Sequence, residues 1–308
     1  MLMNKDVVVI IPIYKPDEKF YILLNSLKVQ TVKLPLLIID SGSDKIWQDN
    51  AVGLDYSIIS IKPQNFNHGG TRQMGIVKTK ADIAIFLTQD AILASENSLE
   101  NIISVFDDKN IGCAYGRQLP HKDATPFAAF ARQFNYPAVS NVRKLTDKTQ
   151  YGMKTPFISN SFAAYRTEIL LKVGGFPIDT ILAEDMCVAA KMLMNGYKVA
   201  YVANATVYHL HNYSILEEFR RYFDIGVFQA TNSWIRTEFG AAEGEGARFI
   251  ISELQYLLKI NWLLIIPMFM RDGAKWIGYR LGINYKYLPI KLCRCLSMTK
   301  AYWKRGSS

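Results

Sequence analysis

The sequence predicts an α/β protein, a mostly parallel sheet with flanking helices, followed by a C-terminal helical, basic appendage. Three observations carry this. Apolar runs without helical period alternate with mixed, helix-like segments in the first half of the 308 residues. Two of those runs end in a carboxylate, and the excess of cations is confined to the last fifth of the chain.

The elements follow in order. VVVIIPIY from Val7 reads as a buried strand, and Phe20, Leu23, Leu24 and Leu27 then share one face of a helix that packs on the sheet. LPLLIID, YSIISIK and IAIFLTQD continue the alternation. A stretch from about Leu119 to Phe157 holds Pro120, Pro126, Pro137 and Pro156 and reads as a loop-rich cover over a cleft. Near Ser214 the texture changes: Ser214 and Glu217 fit a capping box, with Leu216, Phe219, Phe223 and Val227 at helical spacing behind it. The chain is therefore divided into residues 1–213 and a helical region, 214–308.

Within that second region Ile260 to Met270 is uncharged, but at 11 residues with Pro267 inside it it falls short of the ~20 that cross a bilayer. Beyond it Trp276, Tyr279, Ile283, Tyr287 and Ile290 recur at helical spacing among Lys275, Arg280, Lys286, Lys291 and Arg294. This suits a helix lying in an anionic membrane interface; a core-packing helix with a solvated basic face has the same pattern.

Composition narrows the function. The chain is 50% hydrophobic, which excludes disorder, and carries a net charge of +9. Residues 248–308 hold 11 Lys plus Arg against 2 Asp plus Glu, leaving 25 of each sign in residues 1–247. The basicity belongs to the tail, whereas a nucleic-acid enzyme places it along its cleft, so no nucleic-acid partner is expected. Cys113, Cys187, Cys293 and Cys295 show no zinc spacing and suit reduced thiols in a cytoplasmic protein. The first apolar run, interrupted by Pro12 and Lys15, does not read as an export signal.

Five stretches carry candidate chemistry. IAIFLTQD ends in Asp90, and in LLIIDSGSD the apolar run ends at Asp40, with Gly42 and Asp44 in the turn behind it. In open α/β sheets the ligand crevice lies outside the carboxyl ends of the strands, although an Asp there can also simply start a turn. FNHGGTRQMG joins Gly69 and Gly70, which allow close backbone approach, to a fixed cation, Arg72. It is neither a Walker loop nor the GxGxxG fingerprint. In ILAEDMCVAAKMLMNG, Glu184 and Asp185 sit at a helix start, where carboxylates suit the backbone dipole and where an Asp beside a cleft can act as general base. In VYHLHNYS, His209 and His211 share one face of an extended segment, as metal ligands or as structural imidazoles.

The ordered set VVVIIPIYK, IIDSGSD, HGGTRQMG, FLTQDA, VGGF, AED and a later His resembles the inverting glycosyltransferases of family 2 over about residues 7–213. FNHGGTR with TQDA looks like the bacterial dTDP-L-rhamnose-dependent rhamnosyltransferases within it. The resemblance implies the GT-A fold and gives roles by position. Pro12, Tyr14, Asp40 and Arg72 would line the nucleoside site, with Gln89 and Asp90 also facing the nucleotide sugar. Asp90 and His209 would hold Mg²⁺ or Mn²⁺, and Asp185 would be the base. The family's DxD is here Thr88, Gln89 and Asp90, so only its second carboxylate remains. The implied acceptor is a glycan or a lipid-linked glycan in cell-surface polysaccharide synthesis, met at the inner face of the cell membrane by a peripheral enzyme. The oligomeric state stays open. A galactofuranosyl or other hexosyl transferase on the same fold is the nearest alternative, and a non-catalytic membrane-bound scaffold would also account for Thr88. A glycoside hydrolase needs two carboxylates but has no use for a nucleoside pocket.

Overall fold

The structure is a computed structural model and describes residues 5–209, 212–240 and 244–304. Its apolar runs are the strands β1 (Val7–Ile13), β2 (Leu36–Asp40), β3 (Tyr56–Ser60) and β4 (Ile83–Leu87), all parallel. β5 (Ile92–Leu93), β6 (Ile111–Leu119), β7 (Asn141–Arg143), β8 (Phe162–Arg166) and β9 (Lys198–Tyr208) complete a nine-stranded sheet in the order β3-β2-β1-β4-β8-β6-β9-β5, with β7 on β9. β6 and β9 are parallel, and β8 lies antiparallel between β4 and β6.

Successive residues of β1 enter two different cores. Val8 and Ile10 join one buried cluster, Val9, Ile11 and Ile13 the other. Both faces of the sheet are covered, which is why the run is continuously apolar rather than alternating. On one face lie α1 (Glu18–Lys28), followed later in the chain by α2 (His68–Thr79) on the opposite face and α3 (Ser98–Ser104) beside α1. Helix α1 starts where the Asp17 carboxylate accepts the Lys19 N–H at 3.1 Å, and it buries Phe20, Leu23, Leu24 and Leu27, the face its spacing predicts. Each such side chain is worth about 1.5–3 kcal/mol when fully buried.

The proline-marked stretch is more regular than its composition suggests. It forms α4 (Pro126–Asn135), β7 and α5 (Lys148–Tyr151). Pro126 opens α4, where its missing N–H removes nothing, and Thr125 Oγ1 caps it by accepting the Ala128 N–H at 3.3 Å. α6 (Thr167–Lys172) and α7 (Glu184–Met194) then pack back on the sheet.

The C-terminal helices are α8 (Ile215–Thr231), α9 (Ser233–Phe239), α10 (Glu245–Ile260), α11 (Ile265–Ile283) and α12 (Ile290–Leu296). The capping box at Ser214 is present, with both reciprocal bonds to Glu217. Phe223, Val227 and Phe228 of α8 share the buried cluster that contains Tyr165 of β8, so the helical region is welded to the sheet's core. α8 and α11 approach through glycines: a Cβ on Gly282 would lie 2.1 Å from the Phe223 carbonyl oxygen, and one on Gly278 2.3 Å from that of Phe219. The long amphipathic helix expected from Trp276 to Ile290 is interrupted, because α11 ends at Ile283 and a turn over Tyr285–Tyr287 precedes α12. Tyr279 turns inward and donates its hydroxyl to Gln229 Oε1 at 2.6 Å. Lys275 also turns inward, 3.0 Å from Asp272 Oδ1, while Trp276 faces out. Among the described residues no helix is long and apolar enough to cross a membrane.

Candidate active site

Because β1, β2 and β4 are parallel, their carboxyl ends share one edge of the sheet, with Ile13 opposite Asp40. Asp40 Oδ1 accepts the N–H groups of Gly42 (3.1 Å) and Ser43 (2.9 Å), and Gly42 takes φ +103°, a conformation that favours glycine. Gln89 clamps the neighbouring loop: its Oε1 accepts the Tyr14 N–H at 2.8 Å and its Nε2 donates to the Tyr14 carbonyl at 3.2 Å. The middle residue of TQD thus fastens the loop after β1 to the loop after β4. Tyr14 is left half-exposed, and Pro12 sits beneath it in β1 opposite Ile39. Pro12, Tyr14, Asp40 and Gln89 therefore form one wall.

Asp90 and His209 meet on the next stretch of this edge, with Asp90 Oδ2 3.5 Å from His209 Nε2. The imidazole is buried, and its Nδ1 lies 3.0 Å from Gln118 Oε1. Gln118 uses its Nε2 to donate to Ser159 Oγ at 2.9 Å, so the oxygen faces the ring. The proton is thereby assigned to Nδ1 and the Nε2 lone pair to the side of Asp90. Burial holds the imidazole's pKa below its ordinary value, opposed by Asp90. A carboxylate and a neutral imidazole with its far nitrogen fixed are the donor types that hold a small divalent cation. No group of three or more His, Cys, Asp and Glu able to hold a metal occurs among the described residues, so a cation here would need oxygens from a ligand or water. Thr88 Oγ1, at the start of the same tripeptide, is buried without a hydrogen-bond partner. His211 lies outside the described residues.

The third group is at the start of α7, entered through Ala183 with φ +58°. Asp185 Oδ2 accepts the Asn160 N–H at 3.0 Å and Oδ1 the Met186 N–H at 2.8 Å. Burial, then the charge of Glu184, raise its carboxyl to about 7. Glu184 has the opposite fate. Burial pushes its carboxyl up, but the Arg72 guanidinium, 2.8 Å from Oε1, and the Asn160 amide, 3.0 Å from the same oxygen, outweigh that and hold it below its ordinary value. Arg72 is itself buried, and its Nη1 also donates to the His68 carbonyl at 3.1 Å. The first glycine of the pair serves this packing: a Cβ on Gly69 would sit 1.8 Å from the Pro177 carbonyl oxygen, so α2 reaches the VGGFP loop only with glycine there, whereas one on Gly70 would meet nothing nearer than 3.5 Å.

One short segment links the two halves. Asn160 binds Asp185 and Glu184, and the next residue, Ser161, places its hydroxyl 3.4 Å from His209 Nε2. Tyr165 orients the Asn160 amide by donating its hydroxyl to Oδ1 at 2.8 Å. Gln118, Asn160, Ser161 and the role of Glu184 escaped the sequence reading. The one available signal was the polar triplet Ser159, Asn160 and Ser161 directly before the apolar FAAY.

A mostly parallel sheet whose strand ends gather a carboxylate–imidazole pair and a second, perturbed carboxylate defines a GT-A type of transferase. Residues 8–174 match the family model "Glycosyl transferase family 2", and the chain belongs to that family. It is 48% identical over 304 residues to the O-antigen chain rhamnosyltransferase RfbN of Salmonella typhimurium, covering 96% of both chains. With the O-antigen chain rhamnosyltransferase WbaN of Salmonella anatum it shares 49% identity over 269 residues, 87% of this chain and 85% of that one. Among solved structures it resembles the mannosyltransferase PcManGT from Pyrobaculum calidifontis, determined in complex with GDP-Man and Mn²⁺, at TM-score 0.57 and 17% identity, covering 97% of this chain and 85% of that one. S. aureus TarS 1–349 follows at TM-score 0.53 and 15% identity, with 96% and 85% covered. At these identities the structures share the fold.

Proposed function

We propose that this chain is an inverting rhamnosyltransferase that moves L-rhamnose from dTDP-L-rhamnose onto a glycan or lipid-linked acceptor in bacterial cell-surface polysaccharide synthesis. The observation that supports it best is the adjacency of Asn160 and Ser161, which puts a near-neutral carboxyl, Asp185, beside the Asp90–His209 pair. The two ends of a displacement reaction need that proximity.

Asp185 takes the proton of an acceptor hydroxyl while that oxygen forms its bond to the anomeric carbon. The bond from that carbon to the diphosphate oxygen breaks on the far side, the electron pair leaves with dTDP, and the configuration inverts. Asp90 and His209 are the residues that would hold a divalent cation, Mg²⁺ or Mn²⁺, whose charge offsets that of the departing diphosphate. Pro12, Tyr14, Asp40 and Gln89 hold the nucleoside side of the donor. Arg72 keeps Glu184 ionised, and that charge in turn keeps Asp185 basic. The acceptor is met at the inner face of the cell membrane, where an anionic surface receives the basic C-terminal region.

The test is a screen of dTDP-L-rhamnose against UDP- and GDP-sugars, with mass spectrometry of the products. Transfer or donor hydrolysis with dTDP-L-rhamnose is expected. Turnover of a UDP-hexose alone would reassign the sugar, and no turnover of any donor would leave a scaffold on a transferase fold.

A further inference from the structure

The turn between α10 and α11 exposes side chains that a folded chain usually buries. Trp262, Leu263, Ile266, Phe269, Met270 and Trp276 are each between 57% and 73% exposed. Ile266, Phe269, Met270 and Trp276 recur at helical spacing on the side of α11 away from α8, and Trp262 and Leu263 lie in the turn directly before that helix. The opposite side carries Met268, Gly278 and Gly282, which are buried. Contiguous apolar surface of this kind marks an interaction site.

The surrounding charge says what covers it. Between residues 254 and 304 the sequence has a single acid, Asp272, and it is turned inward and paired with Lys275. Lys259 at the end of α10, Arg280 on α11, and Lys286 and Lys291 beyond the far end of α11 are exposed, and none is paired with a carboxylate among the described residues. A second copy docking face to face would bring these like charges together, as a twofold contact presents the same patch on both sides. An anionic bilayer does the reverse: it attracts these cations and takes up the apolar side chains.

We propose that the α10–α11 turn is a wedge that enters the headgroup region of an anionic bilayer, with Trp262 and Phe269 as its leading side chains. This deepens the reading above, resting on its membrane-presented acceptor, and names the element that makes the contact. The wedge lies in the interface and does not span, since the apolar stretch is too short to cross. It is also tied to the active site. Arg271 of α11 donates to the Tyr213 carbonyl at 2.9 Å, four residues beyond His209, and α11 is packed on α8 through its glycines. Docking therefore fixes how the cleft faces the membrane.

The experiment is flotation of the full chain with vesicles of three parts phosphatidylethanolamine to one part phosphatidylglycerol, and with vesicles of phosphatidylcholine. Trp262→Ser/Phe269→Ser and Arg280→Gln/Lys286→Gln/Lys291→Gln are run beside the wild type. The melting shift with dTDP reports the fold and donor site, and light scattering the oligomeric state. The wild type should float with the anionic vesicles only, and each variant should lose at least about tenfold in binding while keeping its dTDP shift. Brominated lipid should quench the wild-type tryptophan emission and leave the serine variant's largely unchanged. No flotation by a wild type that binds dTDP, equal flotation by the serine variant, or a dimer that this variant dissolves would each overturn the wedge. Flotation by a wild type that binds no dTDP supports the wedge and removes the dTDP-sugar donor instead.

Discussion

Replacing Arg72 by Met separates two jobs that one guanidinium can do. Its contact with Glu184 is 2.8 Å long, and both side chains are 7% exposed. Removing one partner of such a pair leaves a buried charge alone, which costs about 3–5 kcal/mol. At about 2–4 °C per kcal/mol for a chain of this order of size, the melting temperature should fall by roughly 6–20 °C. The double variant Arg72→Met/Glu184→Gln should recover most of the loss, since a neutral pair is not penalised in the same way. The pH dependence follows from the direction of the Glu184 shift. Its folded pKa is depressed, so its contribution is present above the unfolded value near 4.5 and is lost as pH falls through the folded value. The gap between wild type and Arg72→Met should be full at neutral pH and narrow in acid below that value. Differential scanning fluorimetry across pH, with donor KM measured in parallel, reads both. An unchanged melting temperature with a raised donor KM would refute the ion-pair account and give Arg72 a direct contact with the nucleotide sugar.

Asp185→Asn should lower kcat by at least about 10²-fold, the scale of a lost general base, while the melting shift with dTDP stays as in wild type. Wild-type kcat should rise with pH and level off above about 7, as the raised Asp185 carboxyl ionises; Glu184→Gln, which removes the charge that helps raise it, should move that limb toward acid in stopped-assay pH profiles. Gln118→Leu removes the acceptor for His209 Nδ1–H and should weaken Mn²⁺ binding in the presence of dTDP by about 10–100-fold by calorimetry. EDTA should abolish transfer, and activity that survives it would remove the cation from Asp90 and His209.

The strands were legible because both faces of the sheet are buried, so β1, β2 and β4 read as unbroken apolar runs whose ends are marked by Asp40 and Asp90. Helix α7 was legible for a similar reason, with acids at its start and Gly196 beyond its end. What escaped was whatever depends on partners far apart in the chain. Arg72 reads as a free cation until Glu184, more than a hundred residues on, is folded against it. Gln118 sits inside the mostly buried strand β6 and has no period to mark it. The outward face of α11 was misjudged because hydrophobic spacing does not register glycines: Gly226, Gly278 and Gly282 decide which side meets α8, and they turn Tyr279 in and Phe269 out.

The meeting of the two half-sites has a topological cause. Ligands of open α/β sheets collect at the carboxyl ends of the parallel strands, and β4 delivers Thr88, Gln89 and Asp90 there. β8 runs the other way, with Phe162 opposite Leu87, so its amino end lies at the same edge. The residues that enter an antiparallel strand thus become neighbours of those that leave a parallel one. Ser159, Asn160 and Ser161 occupy that entrance, between Gln118 with His209 on one side and Glu184 with Asp185 on the other. Were β8 parallel, these three residues would lie at the opposite edge of the sheet, and neither carboxylate of α7 would have its Asn160 donor. The single reversed insertion between β4 and β6 is therefore what lets one short segment set both the ionisation of Asp185 and the surroundings of His209.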